Sequence, residues 1–154
     1  LMVNRKIVTL LSTFGGIGNL PFAPGTWASL ISVPIAWLII EELGNTTLLI
    51  LSLVVFVTGI WASGQFVQQE KVADPGSCVI DEVAGQFTVL SFFINDFSIM
   101  VCAFLTFRFF DIVKIWPTSW VDKNIHGGFG IMIDDIIAAA QSVLVLKVAV
   151  FLLF

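Results

Sequence analysis

Long apolar runs separated by short polar breaks dominate this chain. Five runs alternate with turns rich in Gly, Pro, Asn and Asp, at residues 26–40, 46–66, 77–94, 97–115 and 130–154. Most approach the roughly 20 apolar residues that a transmembrane helix needs. A shorter stretch, residues 4–14, carries Arg5 and Lys6 at its start and predicts a helix lying at a membrane surface. The pattern predicts an all-α fold: a polytopic membrane helical bundle of about four to five spans plus a short N-terminal interfacial helix.

Composition favours a protein surrounded by lipid. Of the 154 residues, 58% are hydrophobic and 12% charged, whereas soluble domains carry about 25% charged residues. We expect one domain, residues 1–154, with a soluble helical protein as the alternative. The net charge of -4 and the lack of a basic run argue against nucleic acid. Cys78 and Cys102 support neither a disulfide framework nor a zinc site, and the apolar run at 7–11 is too short for a persuasive signal peptide.

Charged residues interrupt the apolar sequence between positions 108 and 135. Arg108, Asp111 and Lys114 are spaced three apart at the end of one run, and Asp134 and Asp135 lie at the start of the next. An ionisable residue at the centre of a membrane helix costs roughly 2.5–3.5 kcal/mol, so such residues usually mark a site. The alternatives are an interfacial loop with snorkelling flanks and, for the two aspartates, capping of a helix.

Other polar residues extend the candidate site. Asp81 and Glu82 lie near the start of the run at 77–94. A Gly-rich and Pro-rich loop at 15–29 contains Gly25 and Thr26, and we expect Thr26 to cap the following helix. A loop feeding a helix N-terminus can bind an anion, although an ordinary turn is the alternative. His126 precedes two glycines and is either a proton shuttle, a second-shell donor or a loop histidine bonded to backbone.

Alternation of the spans places these groups, together with Asp74, at one membrane face. The same face receives most of the basic residues: Arg5, Lys6, Lys71, Lys114 and Lys123, with Arg108 in the near half of its span. The positive-inside rule makes that face cytoplasmic. The opposite face receives Glu41, Glu42 and Asp96, with Lys147 nearby. We therefore expect the separate motifs to converge on one cytoplasmic site.

The residue types at this site favour phosphate chemistry. Carboxylates brought together repel one another unless a cation compensates, and hard oxygen ligands select Mg²⁺ rather than zinc. Arg108 and Lys114 add positive charge for a phosphate-bearing lipid. The Cys-x5-Arg spacing of Cys102 and Arg108 does not indicate a thiol phosphatase, because the intervening residues are apolar, contain no glycine and read as helix.

Three blocks carry a resemblance to a known family. They are GIGNLPFAPGTWAS, DPGSCVIDEVAGQF and RFFDIVKIWPTSWVDKNIHGGFGIMIDDIIAA. Together they resemble the phosphatidylglycerophosphatase A family, phosphatases of the bacterial inner membrane that convert phosphatidylglycerol phosphate to phosphatidylglycerol. The resemblance implies a Mg²⁺-dependent phosphomonoester hydrolase.

The resemblance also implies roles for two groups of side chains. Metal and water would be held by Asp81, Glu82, Asp111, Asp134 and Asp135, of which all but Asp111 are predicted to be catalytic. The predicted substrate-binding residues are Gly25, Thr26, Arg108, Lys114 and His126. The chain departs from the family pattern at Ile115, where the family tends to have Pro, and at Ala28 and Ala139, where it tends to have Gly.

Two other functions fit a membrane protein with buried acids. A divalent-cation transporter would use intramembrane carboxylates, but it predicts acids spread through the membrane depth rather than gathered at one face. A CDP-alcohol phosphotransferase is also Asp-rich, but its DGxxAR motif is absent from the chain.

Overall fold

The computed structural model describes residues 4–153, so the predictions for residues 1–3 and 154 lie outside the described residues. Within this part the chain forms seven α-helices and no strand, which confirms the all-α prediction. The helices are α1 (Arg5–Ser12), α2 (Pro24–Leu43), α3 (Asn45–Glu70), α4 (Ile80–Leu90), α5 (Phe97–Val113), α6 (Thr118–Asn124) and α7 (Gly127–Leu153). A short 3₁₀ helix, Ile17–Asn19, precedes α2.

Three helices are long and apolar enough to cross a membrane. They are α2, α3 and α7, with 20, 26 and 27 residues, or about 30 to 40 Å of helix at 1.5 Å per residue. Helix α5 has 17 residues, and α4 has only 11, about 16 Å. The predicted helical run at 77–94 is therefore too long, because residues 77–79 precede the helix and the chain turns after Leu90.

The bundle is apolar on its outside and lined by small residues inside. Large side chains such as Leu53, Leu105 and Leu144 are about 60% exposed or more. The interior faces carry small residues that let helix backbones approach closely: Ala28, Ser29, Ser32 and Ala36 on α2, Gly59, Ala62 and Ser63 on α3, and Ala138, Ala139 and Ser142 on α7. This arrangement suits a protein whose solvent is lipid.

Helix α4 lies at the centre of the bundle. It packs against α2, α3, α5 and α7, and eight of its 11 residues are buried. Val83, Phe87 and Leu90 join Phe107 of α5 in the main apolar core. Since α4 begins with Asp81 and Glu82, the packing that buries this helix also fixes the position of its two acids.

Two local predictions are wrong. Thr26 does not cap α2, because the helix begins at Pro24 with Ala23 as its N-cap residue, and Thr26 already lies inside the first turn. Pro24 suits that first position because it needs no N–H partner there. The segment before α7 also contains a helix, α6, that the apolar pattern did not predict. The predicted N-terminal helix is present as α1, capped by the side chain of Asn4, and its placement at a membrane surface stays a prediction.

Candidate active site

Acidic and basic side chains from four elements line one cavity of about 660 Å³. The first turn of α4, the end of α5, helix α6 and the first part of α7 contribute to its wall, together with the loop before α4. Its acidic and basic lining residues are Asp74, Asp81, Glu82, Asp111, Lys114, Asp122, His126, Asp134 and Asp135. The structure thus brings together residues that are up to 61 positions apart in sequence.

The centre of this group is a cluster of three carboxylates. Asp81, Glu82 and Asp135 each offer a ligand oxygen, and these oxygens lie within 4.8 Å of one another. Within residues 4–153, Asp81 Oδ1, Glu82 Oε2 and Asp135 Oδ2 are buried and have no hydrogen-bond partner. A buried charged oxygen without a partner is costly. These three carboxylates could hold a metal ion.

Arg108 lies beside this cluster rather than in the cavity wall. Its guanidinium hydrogen-bonds to Asp111 one helical turn later, and Nη1 lies 3.8 Å from Glu82 Oε1. Its side chain is largely buried, at 13% exposed. Gly25 of α2 makes room for this contact, because a Cβ atom there would overlap Glu82 and lie 3.4 Å from Arg108 Nη2. Arg108 thus compensates the charges of Glu82 and Asp111 from a position outside the cavity wall.

Lys114 faces the cavity between two carboxylates. Its Nζ lies 2.5 Å from Asp122 Oδ1 on α6 and 2.8 Å from Asp134 Oδ2 on α7. Burial opposes the charge of this ammonium, but the hydrogen bonds to Asp122 and Asp134 outweigh burial and hold the Lys114 pKa above its ordinary value. Lys114 is therefore a permanent cation at neutral pH.

Close packing of α7 against α3 sets the position of Asp134 and Asp135. Gly128 packs against the carbonyl of Ile60. A Cβ atom at this position would lie only 2.7 Å from the Gly64 nitrogen, so no side chain fits there. Helix α7 begins at Gly127, so the two aspartates lie about two turns inside the helix. The capping interpretation of this pair is therefore wrong.

The remaining predicted residues are distributed around the site. His126 lies in the cavity wall and is exposed. Gly25 lies behind Glu82, and Thr26 is half-buried on α2 outside the wall. Contacts of Arg108, Gly25 and Thr26 with substrate remain predictions.

Two wall residues had no predicted role in the site: Asp74 was predicted only to share its membrane face, and Asp122 was not predicted at all. Asp74 precedes Pro75-Gly76 and reads as part of a polar turn. In the sequence, Asp122 is next to Lys123, a pattern typical of an exposed, solvated charge. Only the fold shows that both acids face the cavity.

Comparison with known proteins identifies the family. The family model for phosphatidylglycerophosphatase A matches residues 10–150. The chain belongs to the phosphatidylglycerophosphatase A family. A phosphatidylglycerophosphatase A from Haemophilus influenzae is 37% identical over 139 residues, which cover 90% of this chain and 85% of that protein. Another from Escherichia coli is 36% identical over 134 residues, covering 86% of this chain and 77% of that protein.

Membership of the phosphatidylglycerophosphatase A family confirms the predicted family and enzyme class, a phosphatase. A third relative, from Bacteroides thetaiotaomicron, is a putative phosphatidylinositol-3-phosphatase that is 36% identical over 148 residues, or 91% of each chain. No solved structure matches the chain. The three apolar helices and these relatives together indicate a membrane protein.

Proposed function

We propose that this protein is a Mg²⁺-dependent lipid phosphatase of the bacterial inner membrane. Its substrate is phosphatidylglycerol phosphate, from which it removes the terminal phosphomonoester to leave phosphatidylglycerol. The observation that supports this most strongly is the Asp81, Glu82 and Asp135 cluster, whose unpartnered oxygens meet at a cavity in a lipid-facing bundle. Family membership supplies the substrate class.

The donor set at the cluster fits Mg²⁺. All three groups are carboxylates, the hard ligands that Mg²⁺ prefers. Asp81, Glu82 and Asp135 would hold the ion through oxygens that lie within 4.8 Å of one another. Asp134 and Asp111 line the same wall and are the next candidates to hold the ion or its waters.

The protein's own residues supply binding and charge compensation for the reaction. When bound, Mg²⁺ supplies positive charge that offsets the phosphoryl oxygens. Lys114 offers an ammonium to a phosphate oxygen from the cavity wall. Arg108 offsets the charges of Glu82 and Asp111 and so keeps both in place. Water adds to phosphorus and loses a proton to a carboxylate of the cavity wall as the bond to the glycerol oxygen breaks. His126 in the wall is the candidate donor of a proton to that leaving oxygen.

The charge distribution supports a cytoplasmic site in a multi-pass protein. The cavity lies at the N-terminal ends of α4 and α7 and at the C-terminal end of α5. Lys71 follows α3 and Lys123 lies in α6 at this same end, whereas Lys147 lies near the other end of α7. Lys and Arg are enriched in cytoplasmic segments of membrane proteins.

Two alternatives remain as competitors in the test. A divalent-cation transporter would need acids through the membrane depth, whereas seven of the 11 acidic residues line one cavity at one end of the bundle, and Glu41, Glu42 and Asp96 lie at the other end. A phosphatidylinositol 3-phosphate phosphatase is a second candidate, because one relative with 36% identity carries that name. Both lipids therefore belong in the substrate panel.

The decisive experiment compares Asp81→Asn and Asp135→Asn with the wild type in purified, lipid-reconstituted protein. Loss of a metal ligand should lower Mg²⁺-dependent phosphate release by at least about 100-fold, since even indirect supports of a metal site contribute 10- to 100-fold. Glu42→Gln is the matched control, because this exposed acid lies at the opposite end of α2. Its turnover should equal that of the wild type.

Thermal unfolding provides a readout that does not depend on activity. At 100 times its dissociation constant, a ligand stabilises a protein by about 2.7 kcal/mol, which corresponds to about 5–10 °C in a chain of this size. Mg²⁺ should raise the Tm of the wild type by this amount and leave Asp135→Asn unchanged. Equal Mg²⁺ shifts in both, or full turnover in both Asn variants, would refute the site assignment.

A further inference from the structure

The ammonium of Lys114 is held from two sides. Its Nζ donates to Asp122 at 2.5 Å and to Asp134 at 2.8 Å, and all three residues line the cavity. A lysine ammonium has three N–H donors. Two are directed at these carboxylates, which leaves one for a further acceptor in the cavity.

Lys114 follows the last residue of α5. It is the C-cap residue, with φ of 51° and ψ of 58°, a left-handed conformation that commonly ends helices. Its N–H bonds to the Phe110 carbonyl. The lysine therefore leaves the end of α5 at the cavity wall, where its side chain meets its two partners.

The two carboxylate partners differ in their surroundings. Asp134 is only 8% exposed and adjoins Asp135 of the carboxylate cluster, whereas Asp122 is 41% exposed on α6. Helix α6 is tied to α7 through the Thr118 hydroxyl, which donates to Gln141 Oε1 at 2.6 Å. Asp122 therefore touches the lysine without belonging to the metal cluster.

We propose that Asp122 is a positioning residue that aims Lys114 at the substrate phosphate. This inference rests on the proposed phosphatase function. Of the lysines and arginines in the described chain, Lys114 is the one that lines the cavity, among seven carboxylates. A flexible four-carbon side chain binds a phosphate more weakly when it must be ordered on binding. Asp122 orders it beforehand.

Removal of Asp122 gives opposite results under the two interpretations. If Asp122 merely adds negative charge near the cavity, Asp122→Ala reduces repulsion of the anionic substrate and lowers KM. If it positions Lys114, the same change raises KM about 10-fold. The kcat should change less than threefold, because a lysine bound equally to substrate and transition state affects KM alone.

The test measures KM and kcat for phosphate release from phosphatidylglycerol phosphate in mixed micelles. Asp122→Glu should restore KM to within threefold of the wild type. Lys114→Gln should raise KM at least as much as Asp122→Ala, and Asp122→Ala should have no further effect in that background. Lys123→Gln, a neighbouring change outside the cavity wall, is the control and should leave KM unchanged.

The outcomes separate this inference from the proposed function. A wild type that releases no phosphate would overturn both. A fully active wild type with a lowered or unchanged KM in Asp122→Ala would overturn the positioning role alone. The same holds if Asp122→Ala raises KM equally in the presence and absence of Lys114.

Discussion

Replacing Gly128 by alanine tests whether the contact between α3 and α7 sets the geometry of the acids. A Cβ atom at Gly128 would overlap the Ile60 carbonyl and lie 2.7 Å from the Gly64 nitrogen and 3.0 Å from the Gly64 Cα. Carbon atoms pack best at about 3.5–4.0 Å. Helices α3 and α7 must therefore move apart by roughly 1 Å.

The expected effect is moderate on stability and large on activity. Overpacking of this kind costs typically 1–3 kcal/mol, or a Tm lower by about 2–12 °C in a chain of this size. Asp135 lies two turns further along the same helix. A displacement of about 1 Å at a reacting group can cost 100-fold in rate, so phosphate release should fall by about that factor.

Gly64→Ala is the matched control on the facing helix. Its Cβ atom would lie 3.7 Å from the Gly128 Cα and 3.8 Å from its nitrogen, which is ordinary contact. Because alanine favours helix over glycine by up to about 1 kcal/mol, the control should keep or raise the Tm and keep its activity. Thermal unfolding in detergent and a phosphate-release assay measure both effects. The reasoning fails if Gly128→Ala matches Gly64→Ala in Tm and turnover.

Three further predictions concern other parts of the structure. Burial raises the pKa of Cys78 to about 12. In the Cys102→Ser variant, alkylation of Cys78 at pH 8.5 should therefore be about 1,000-fold slower than that of a free thiol, and its rate should increase about tenfold per pH unit. A rate like that of free cysteine would contradict the burial of Cys78. Gln141→Leu removes an amide that bonds to the Trp116 carbonyl at 3.1 Å, and we expect faster limited proteolysis within α6, whereas an unchanged cleavage pattern would show that α6 is held elsewhere. Asn45→Ala removes hydrogen bonds of 3.1 and 2.7 Å from the Asn45 amide to two carbonyls beyond the end of α4. The free energy of unfolding should fall by about 1–3 kcal/mol and lower the Tm, while kcat at a permissive temperature stays unchanged. A loss of kcat without a loss of Tm would refute this.

The sequence predicts the helices well where apolar length alone decides them. The runs at 46–66 and 97–115 correspond closely to α3 and α5. The run at 77–94 was predicted too long because α4 is buried inside the bundle and its flanking residues, such as Val79 and Phe93, are buried and apolar as well. The start of α2 was predicted two residues late, although Pro24 is a recognisable residue for a first helical turn.

For the site, the sequence indicates which residue types meet but not which way they face. The spacing of Arg108 and Asp111 predicts that they share a helix face, and the two are indeed paired. That Arg108 points at Glu82 and away from the cavity depends on Gly25 of another helix. Asp122 faces the cavity only because α6 folds back on α7, which no local pattern predicts.

The short central helix has a consequence for how the protein matures. Helix α4 carries Asp81 and Glu82 yet is only 11 residues long, and it is covered by α7, the last helix in the described chain. During synthesis, Asp81 and Glu82 are made before the helix that covers α4. A chain truncated before Gly127 would lack α7, so it would leave the face of α4 that packs on α7 uncovered and the carboxylate cluster without Asp135. Such chains should be less stable than the full chain and more readily degraded by proteases.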